Sequence, residues 1–232
     1  MPKLSFDSGK KQYICSLQAI PVSFYSCRRM KILAVGRNYA AHAKELSNEP
    51  AEEPIIFMKP DTALLKGNAP FYFPTWSDNI HYEVELVLKI GKEGKHISEK
   101  FAHKYIEAIG IGIDFTARDL QNKLKNKGLP WTLAKGFNDS APISSFVAAE
   151  SFSDFSNISF SLNRNGNQVQ KGNSGDMIFP FGKIIAFISQ FITLKKGDLI
   201  FTGTPEGVGP VSIGDKLEAF LEGQLLLETE IK

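Results

Sequence analysis

Glu83 and Glu85 stand one residue apart at the start of the apolar run HYEVELVLKIG, residues 81–91. In a strand, successive side chains point to opposite faces, so the two carboxylates project the same way while Val84 and Leu86 project the other. Like charges that close destabilise each other unless a cation lies between them or one takes up a proton. The stretch reads either as part of a cation site or as an edge strand whose polar face is wet. His81 shares that face by spacing and reads as a structural histidine or one that supports a ligand.

A second pair lies upstream. His42 and Glu45 are three residues apart on a short predicted helix, which makes their side chains neighbours. A glutamate so placed fixes the imidazole tautomer and raises its basicity, as a general base requires. The same spacing is commonplace in surface ion pairs. Lys135 lies in LPWTLAKGF, where Trp131 and Leu133 suggest partial burial and hence a stronger action on a bound anion. The segment TGTPEGVG lacks the Gly-Lys-Ser/Thr ending of a nucleotide-phosphate loop, and its glycines suit the approach of backbone N–H groups to a carboxylate. The basic stretch DLQNKLKNKGLPW reads as a solvated helix face rather than an RNA-binding surface.

These residues need a scaffold. Of the 232 residues, 43% are hydrophobic, enough to bury a substantial core as one domain. The 27 Lys+Arg against 25 Asp+Glu leave a formal charge of +2, which argues against general affinity for nucleic acid or anionic membranes. No apolar run approaches the roughly 18 residues of a transmembrane helix, and a cytoplasmic protein is expected. Both cysteines, Cys15 and Cys27, precede Met30, so any metal in the main domain must be held by oxygen or imidazole. Met1–Arg29, with a weak strand signal at QYICSLQAIPVSFY, is expected to be an extension of uncertain role, and Met30–Lys232 the catalytic domain.

Strands are expected at Lys31–Val35 with a turn at Gly36, at EPIIFMKP, through HYEVELVLKI, at IGIGIDF and at KGDLIFTGT. Hairpins are expected about Asn165-Gly166 and Gly223. The helices are a short one capped by Asn38, an amphipathic one over ISEKFAHKYIEAI, a basic one over Asp119–Lys127 stopped by Gly128, and FGKIIAFISQFI. In the second of these, Ser98 is the expected cap and Phe101, Tyr105, Ile106 and Ile109 form the apolar side. Strands outnumber helices, which gives a β-rich α+β domain.

Six segments, GRNYAAHAKEL, HYEVEL, GIDFTARDLQ, KGLPWTLAKGF, GDMIFPFGKII and GDLIFTGTPEGVGP, together resemble the fumarylacetoacetate hydrolase family in order and spacing, within its acylpyruvate hydrolase and oxaloacetate decarboxylase branch. The resemblance runs from about Met30 to the end of the chain. It implies a mixed β-sandwich roll that works as a homodimer, with Mg²⁺, or sometimes Mn²⁺, on Glu83, Glu85 and Asp114. It implies catalytic roles for His42, Glu45 and Lys135, and substrate contacts from Arg37, Arg118, Gln121 and Thr204. Ala41 stands where many relatives carry aspartate, and the His42 helix resembles a lid that orders over substrate. The expected reaction is hydrolysis of the C–C bond of acylpyruvate-type 1,3-dicarbonyl acids to pyruvate and a carboxylic acid. Decarboxylation of oxaloacetate, or isomerisation or tautomerisation of a 2-oxo diacid, is the alternative through the same enolate. A noncatalytic binding protein of the same fold is the third reading.

Overall fold

The computed structural model describes residues 30–45 and 51–232. The strand signal at QYICSLQAIPVSFY and the boundary expected at Arg29 lie outside the described residues. The described residues form ten strands of three or more residues: β1 (Ile32–Gly36), β2 (Ile55–Lys59), β3 (Ile80–Tyr82), β4 (Val84–Ile90), β5 (Ile106–Ile113), β6 (Ser159–Arg164), β7 (Asn167–Asn173), β8 (Leu199–Phe201), β9 (Lys216–Leu221) and β10 (Gln224–Glu230). The helices are α1 (Ala40–Glu45), α2 (Arg118–Asn126), α3 (Thr132–Lys135) and α4 (Phe181–Phe191). None is long and apolar enough to cross a membrane.

The main sheet is mixed, in the order β2-β1-β8-β4-β5 followed by the short strand Val147–Ala148; β1 and β8 are parallel and the other neighbours antiparallel. A second, antiparallel sheet runs β7-β6-β9-β10. Leu33, Leu86, Leu88, Ile109 and Ile111 share the large core with Phe160, Leu162, Leu217 and Leu227 of the second sheet. Ile32, Ala34, Val87, Leu199 and Phe201 form a smaller cluster on the opposite face. Both faces of the central strands are therefore covered, which is why β4 reads as an almost continuous apolar run.

Turn chemistry follows the sequence closely. Asn165 and Gly166 both have positive φ, 53° and 78°, as the two-residue β6–β7 turn requires, and Glu222 and Gly223 do the same between β9 and β10. α2 ends where expected, with Gly128 at φ 65°.

Three local expectations are corrected. The helix over ISEKFAHKYIEAI is a 3₁₀ turn at Glu99–Tyr105 followed by β5. Ser98 provides no side-chain cap, Phe101 is exposed, and Ile106 and Ile109 belong to the strand. The ladder to β4, from Val84–Ile113 to Ile90–Ile106, overrides the local helical period. Asn38 is fully buried, and its side chain accepts from Phe179 N and donates to Phe179 O and Thr202 O, which ties the β1–α1 connection to two distant segments. The left-handed residue of that connection is Arg37, at φ 58°, rather than Gly36.

Gly112 lies opposite Glu85 in the β4–β5 ladder, where an added Cβ would come within 2.8 Å of Phe201 and 2.9 Å of Val87. Gly112→Ala is expected to overpack the smaller cluster and lower stability by about 1–3 kcal/mol. Urea denaturation should show this as a lower midpoint at unchanged slope.

Candidate active site

The Glu83–Glu85 alternation holds, with a break: Glu83 falls between β3 and β4. The Val84 N–H is taken there by the Gln170 side chain at 2.9 Å, while the Glu83 carbonyl accepts from Asp114 N at 2.8 Å. Asp114 follows β5 directly, so that last backbone bond brings it beside the glutamates. One oxygen from each of Glu83, Glu85 and Asp114 lies within 4.8 Å of the others, and all three residues are buried.

Three cations, each from a different element, surround this cluster. Lys135 Nζ, at the end of α3, is 2.7 Å from Glu83 Oε2, 2.6 Å from Asp114 Oδ2 and 2.6 Å from Thr116 Oγ1. Arg118, at the start of α2, contacts Glu83 and donates to Gln121 Oε1 at 2.6 Å. Lys59, the last residue of β2, places Nζ 2.6 Å from Asp114 Oδ1. Lys59 Nζ also donates to Ser140 O at 2.9 Å, Ser140 Oγ at 3.0 Å and the Lys135 carbonyl. Asp114 Oδ1 makes no hydrogen bond of regular geometry and is held by the Lys59 ion pair.

Charge is shared unevenly. Burial pushes Glu83 upward, but Lys135 and Arg118 outweigh it and hold the carboxyl well below the usual range. Glu85 has the opposite balance. Burial, then the charges of Asp114 and Glu83, raise it well above a normal carboxyl, opposed by a 2.6 Å bond from Gly203 N. Gly203 has φ 102°, and a Cβ there would meet Asn38 at 2.6 Å, so close approach demands glycine at this turn. For Lys135, burial is outweighed by Asp114 and Glu83, and its pKa is raised. Three buried oxygen donors, one without a regular hydrogen bond and one disfavoured as an anion, fit a hard divalent cation.

His42 Nδ1 lies 3.1 Å from Glu45 Oε2 within α1, and Glu45 Oε1 accepts from Gly207 N at 3.1 Å. His42 lines a narrow cleft together with Arg37, Phe57, the three carboxylates, Arg118, Gln121, Lys125, Trp131, Lys135 and Thr204. Every site residue singled out in the sequence except Glu45 lines this cleft, and Glu45 is bonded to one that does. His81 is elsewhere engaged, its Nε2 3.0 Å from Asn79 Oδ1. Burial and the Arg118 charge push its pKa down to about 4. Lys135 is fully rather than partly buried, for a reason other than the one read from sequence: Leu133 is 68% exposed, and the acidic cluster holds the lysine.

Sequence reasoning missed Lys59 and Gln170. A lysine closing the apolar strand IIFMK was the available signal for the first. Gln170, which also donates to Thr204 Oγ1 at 2.9 Å and Pro205 O at 3.0 Å, had none in its hairpin.

The fumarylacetoacetate (FAA) hydrolase C-terminal family model matches residues 31–232. The chain belongs to this family. Oxaloacetate tautomerase FAHD1, mitochondrial, of Mus musculus is 43% identical over 201 residues, covering 87% of this chain and 91% of that protein. Oxaloacetate decarboxylase, mitochondrial, of Dictyostelium discoideum is 44% identical over 203 residues, covering 87% and 92%. The crystal structure of fumarylpyruvate hydrolase from Pseudomonas aeruginosa in complex with Mn²⁺ and pyruvate matches with TM-score 0.83 and 35% identity, over 88% of this chain and 89% of that one. The β-rich, multi-sheet architecture is thus that of the fumarylacetoacetate hydrolase fold, as the six segments implied, and family members are enzymes.

Lys59→Met should destabilise the protein by about 3–5 kcal/mol in chemical denaturation, because it strips a buried aspartate of its paired cation. The two glutamates are shifted in opposite directions, and each gives its own pH dependence. Glu83, with a depressed pKa, contributes stability that is full above its unfolded value of about 4.3 and is lost as pH falls. Glu85, with a raised pKa, must release a proton to act as a ligand, so Mg²⁺ affinity should rise with pH until Glu85 is ionised. Calorimetric titrations across neutral pH should show that rise together with proton release, and Glu85→Gln should weaken binding and flatten the profile.

Proposed function

We propose that this protein interconverts the keto and enol forms of a 2-oxo diacid of the oxaloacetate type. The observation that carries this reading is one narrow cleft holding both an acidic triad and a glutamate-oriented histidine. The names of relatives such as oxaloacetate tautomerase FAHD1 and oxaloacetate decarboxylase support this reading. Hydrolysis remains the second reading, favoured by the likeness to fumarylpyruvate hydrolase.

Glu83, Glu85 and Asp114 would hold Mg²⁺ or Mn²⁺. Such an ion, when bound, supplies positive charge beside the carboxylate and keto oxygen of a 2-oxo acid and so stabilises the enolate. Glu45 accepts the Nδ1 proton of His42 and thereby leaves Nε2 free to take the proton from C3 in enolisation and to return it in ketonisation, the enol oxygen exchanging its own proton with solvent. In hydrolysis the same nitrogen would deprotonate water. Lys135 adds a buried positive charge where anionic character develops. Gln121, whose oxygen is occupied by Arg118, keeps its amide hydrogens for a substrate carboxylate. Thr204, whose oxygen accepts from Gln170, keeps its hydroxyl hydrogen for the same use. Arg118 braces Glu83 and stands beside the substrate. The homodimer is proposed on the same footing and is checked by sedimentation.

The deciding experiment follows ketonisation of enol-oxaloacetate by its ultraviolet absorbance, and pyruvate release from oxaloacetate and a panel of acylpyruvates, with Mg²⁺ and with Mn²⁺. The highest kcat/KM is expected for ketonisation; faster acylpyruvate cleavage would put hydrolysis first. His42→Ala should slow ketonisation and acylpyruvate hydrolysis by roughly a hundredfold to ten-thousandfold, as for a lost general base. Oxaloacetate decarboxylation, which requires neither C3 deprotonation nor an attacking water, should be reduced less. Glu83→Gln should abolish all three.

A further inference from the structure

The turn after β8 faces the cleft on one side and the second sheet on the other. On the cleft side, Gly203 N bonds Glu85, Thr204 lines the wall and Gly207 N reaches Glu45. Behind it runs β7, so close that a Cβ on Gly207 would meet the Val169 carbonyl at 2.3 Å. From that strand Gln170, 2% exposed, extends into the junction and makes three hydrogen bonds, to Val84, Thr204 and Pro205.

Two of these bonds fix which way the amide faces. Oε1 accepts from the Val84 N–H, a main-chain group that can only donate, and Nε2 donates to the Pro205 carbonyl, which can only accept. A half-turn of the amide would set N–H against N–H and oxygen against oxygen, leaving two buried pairs unmade. The second Nε2 hydrogen therefore has one destination, Thr204 Oγ1 at 2.9 Å. A hydroxyl is ordinarily indifferent, donor or acceptor as its neighbour requires. Thr204 has lost that freedom. It is 3% exposed, it already accepts, and its hydrogen goes to no acceptor among the described residues, so what it lacks is an acceptor on the cleft side.

We propose that Gln170, a residue of the second sheet outside the cleft, is a positioning residue for ligand binding: by donating to Thr204 Oγ1 it commits that hydroxyl to donate into the cleft. At this point the wall then holds a ligand oxygen that brings a lone pair and disfavours a group that brings a hydrogen. The proposal rests on the reading of Glu83, Glu85 and Asp114 as the seat of a metal-chelating 2-oxo acid.

Oxalate binding to the Mn²⁺-loaded protein, followed by calorimetry, is the test. Gln170→Glu keeps the shape of the side chain and the acceptor for Val84, but the atom facing Thr204 becomes an oxygen. Any proton on that oxygen is claimed by the Pro205 carbonyl, so it draws the Thr204 hydrogen away from the cleft. Thr204→Val should weaken oxalate about tenfold in the wild-type background, the worth of a hydrogen bond to a charged group, and Thr204→Ser should retain the affinity. In the Gln170→Glu background, Thr204→Val should cost nothing further. A merely structural role for Gln170 would leave the cost of Thr204→Val equal in both backgrounds, and that result, or no cost in the wild type, overturns the proposal. A second measurement does not depend on whether Gln170→Glu folds: by nuclear magnetic resonance, both Gln170 amide protons of the wild type should exchange with deuterated solvent far more slowly than those of an exposed glutamine. Fast exchange overturns the proposal as well. Failure of oxalate to bind the Mn²⁺-loaded wild type overturns the reading of the triad, and the ligand role of Gln170 with it.

Discussion

Holding three carboxylates out of water at one point is the constraint on which the rest of this structure depends. Two like charges ~4 Å apart repel by about 4 kcal/mol at the effective dielectric of a protein, and burial adds a desolvation cost to each. Lys59, Lys135 and Arg118 offset this from three separate elements, β2, α3 and α2. The short helix α3 needs this anchor especially. It has four residues, its N-cap contributes no side-chain bond, and Leu133 faces solvent. An ion pair between Lys135 and the floor of the cleft fixes what propensity and packing alone would leave loose.

The compensation is incomplete by design of the backbone. Lys135 and Arg118 both favour Glu83, whereas Glu85 receives a backbone N–H from Gly203 and the repulsion of its two neighbours. One carboxyl is therefore a settled anion and the next is not. That asymmetry is what separates a site awaiting a divalent ion from a closed salt-bridge network, which would satisfy every member.

The strand carrying both glutamates, the paired hairpin turns, α2 and the His42–Glu45 spacing were legible because each rests on local chemistry: alternation, positive φ at Asn165-Gly166, a glycine stop and an i, i+3 neighbour. What escaped depended on distant partners. The stretch IGIGIDF reads as a strand, but the residues leading into it, Ile106–Ile109, read as the end of a helix, and their pairing with β4 selects the strand. Asn38 looked like a cap because its partners, Phe179 and Thr202, are far along the chain. Gln170 sits in an unremarkable hairpin of the second sheet, yet its side chain reaches Val84, Thr204 and Pro205 at once. A sequence offers no period or motif for a residue whose role is to join two sheets beneath a site.

The confinement of His42 and Glu45 to one helix has a kinematic consequence. Because donor and acceptor are three residues apart on α1, any rotation of that helix carries both as a unit and leaves the imidazole tautomer intact. Asn38, at the root of the helix, is anchored by three hydrogen bonds, and on the far side Gly207 N donates to Glu45. The imidazole and the carboxylate that orients it are in this sense prefabricated on one helix, so their pairing is set locally and asks nothing of the rest of the fold.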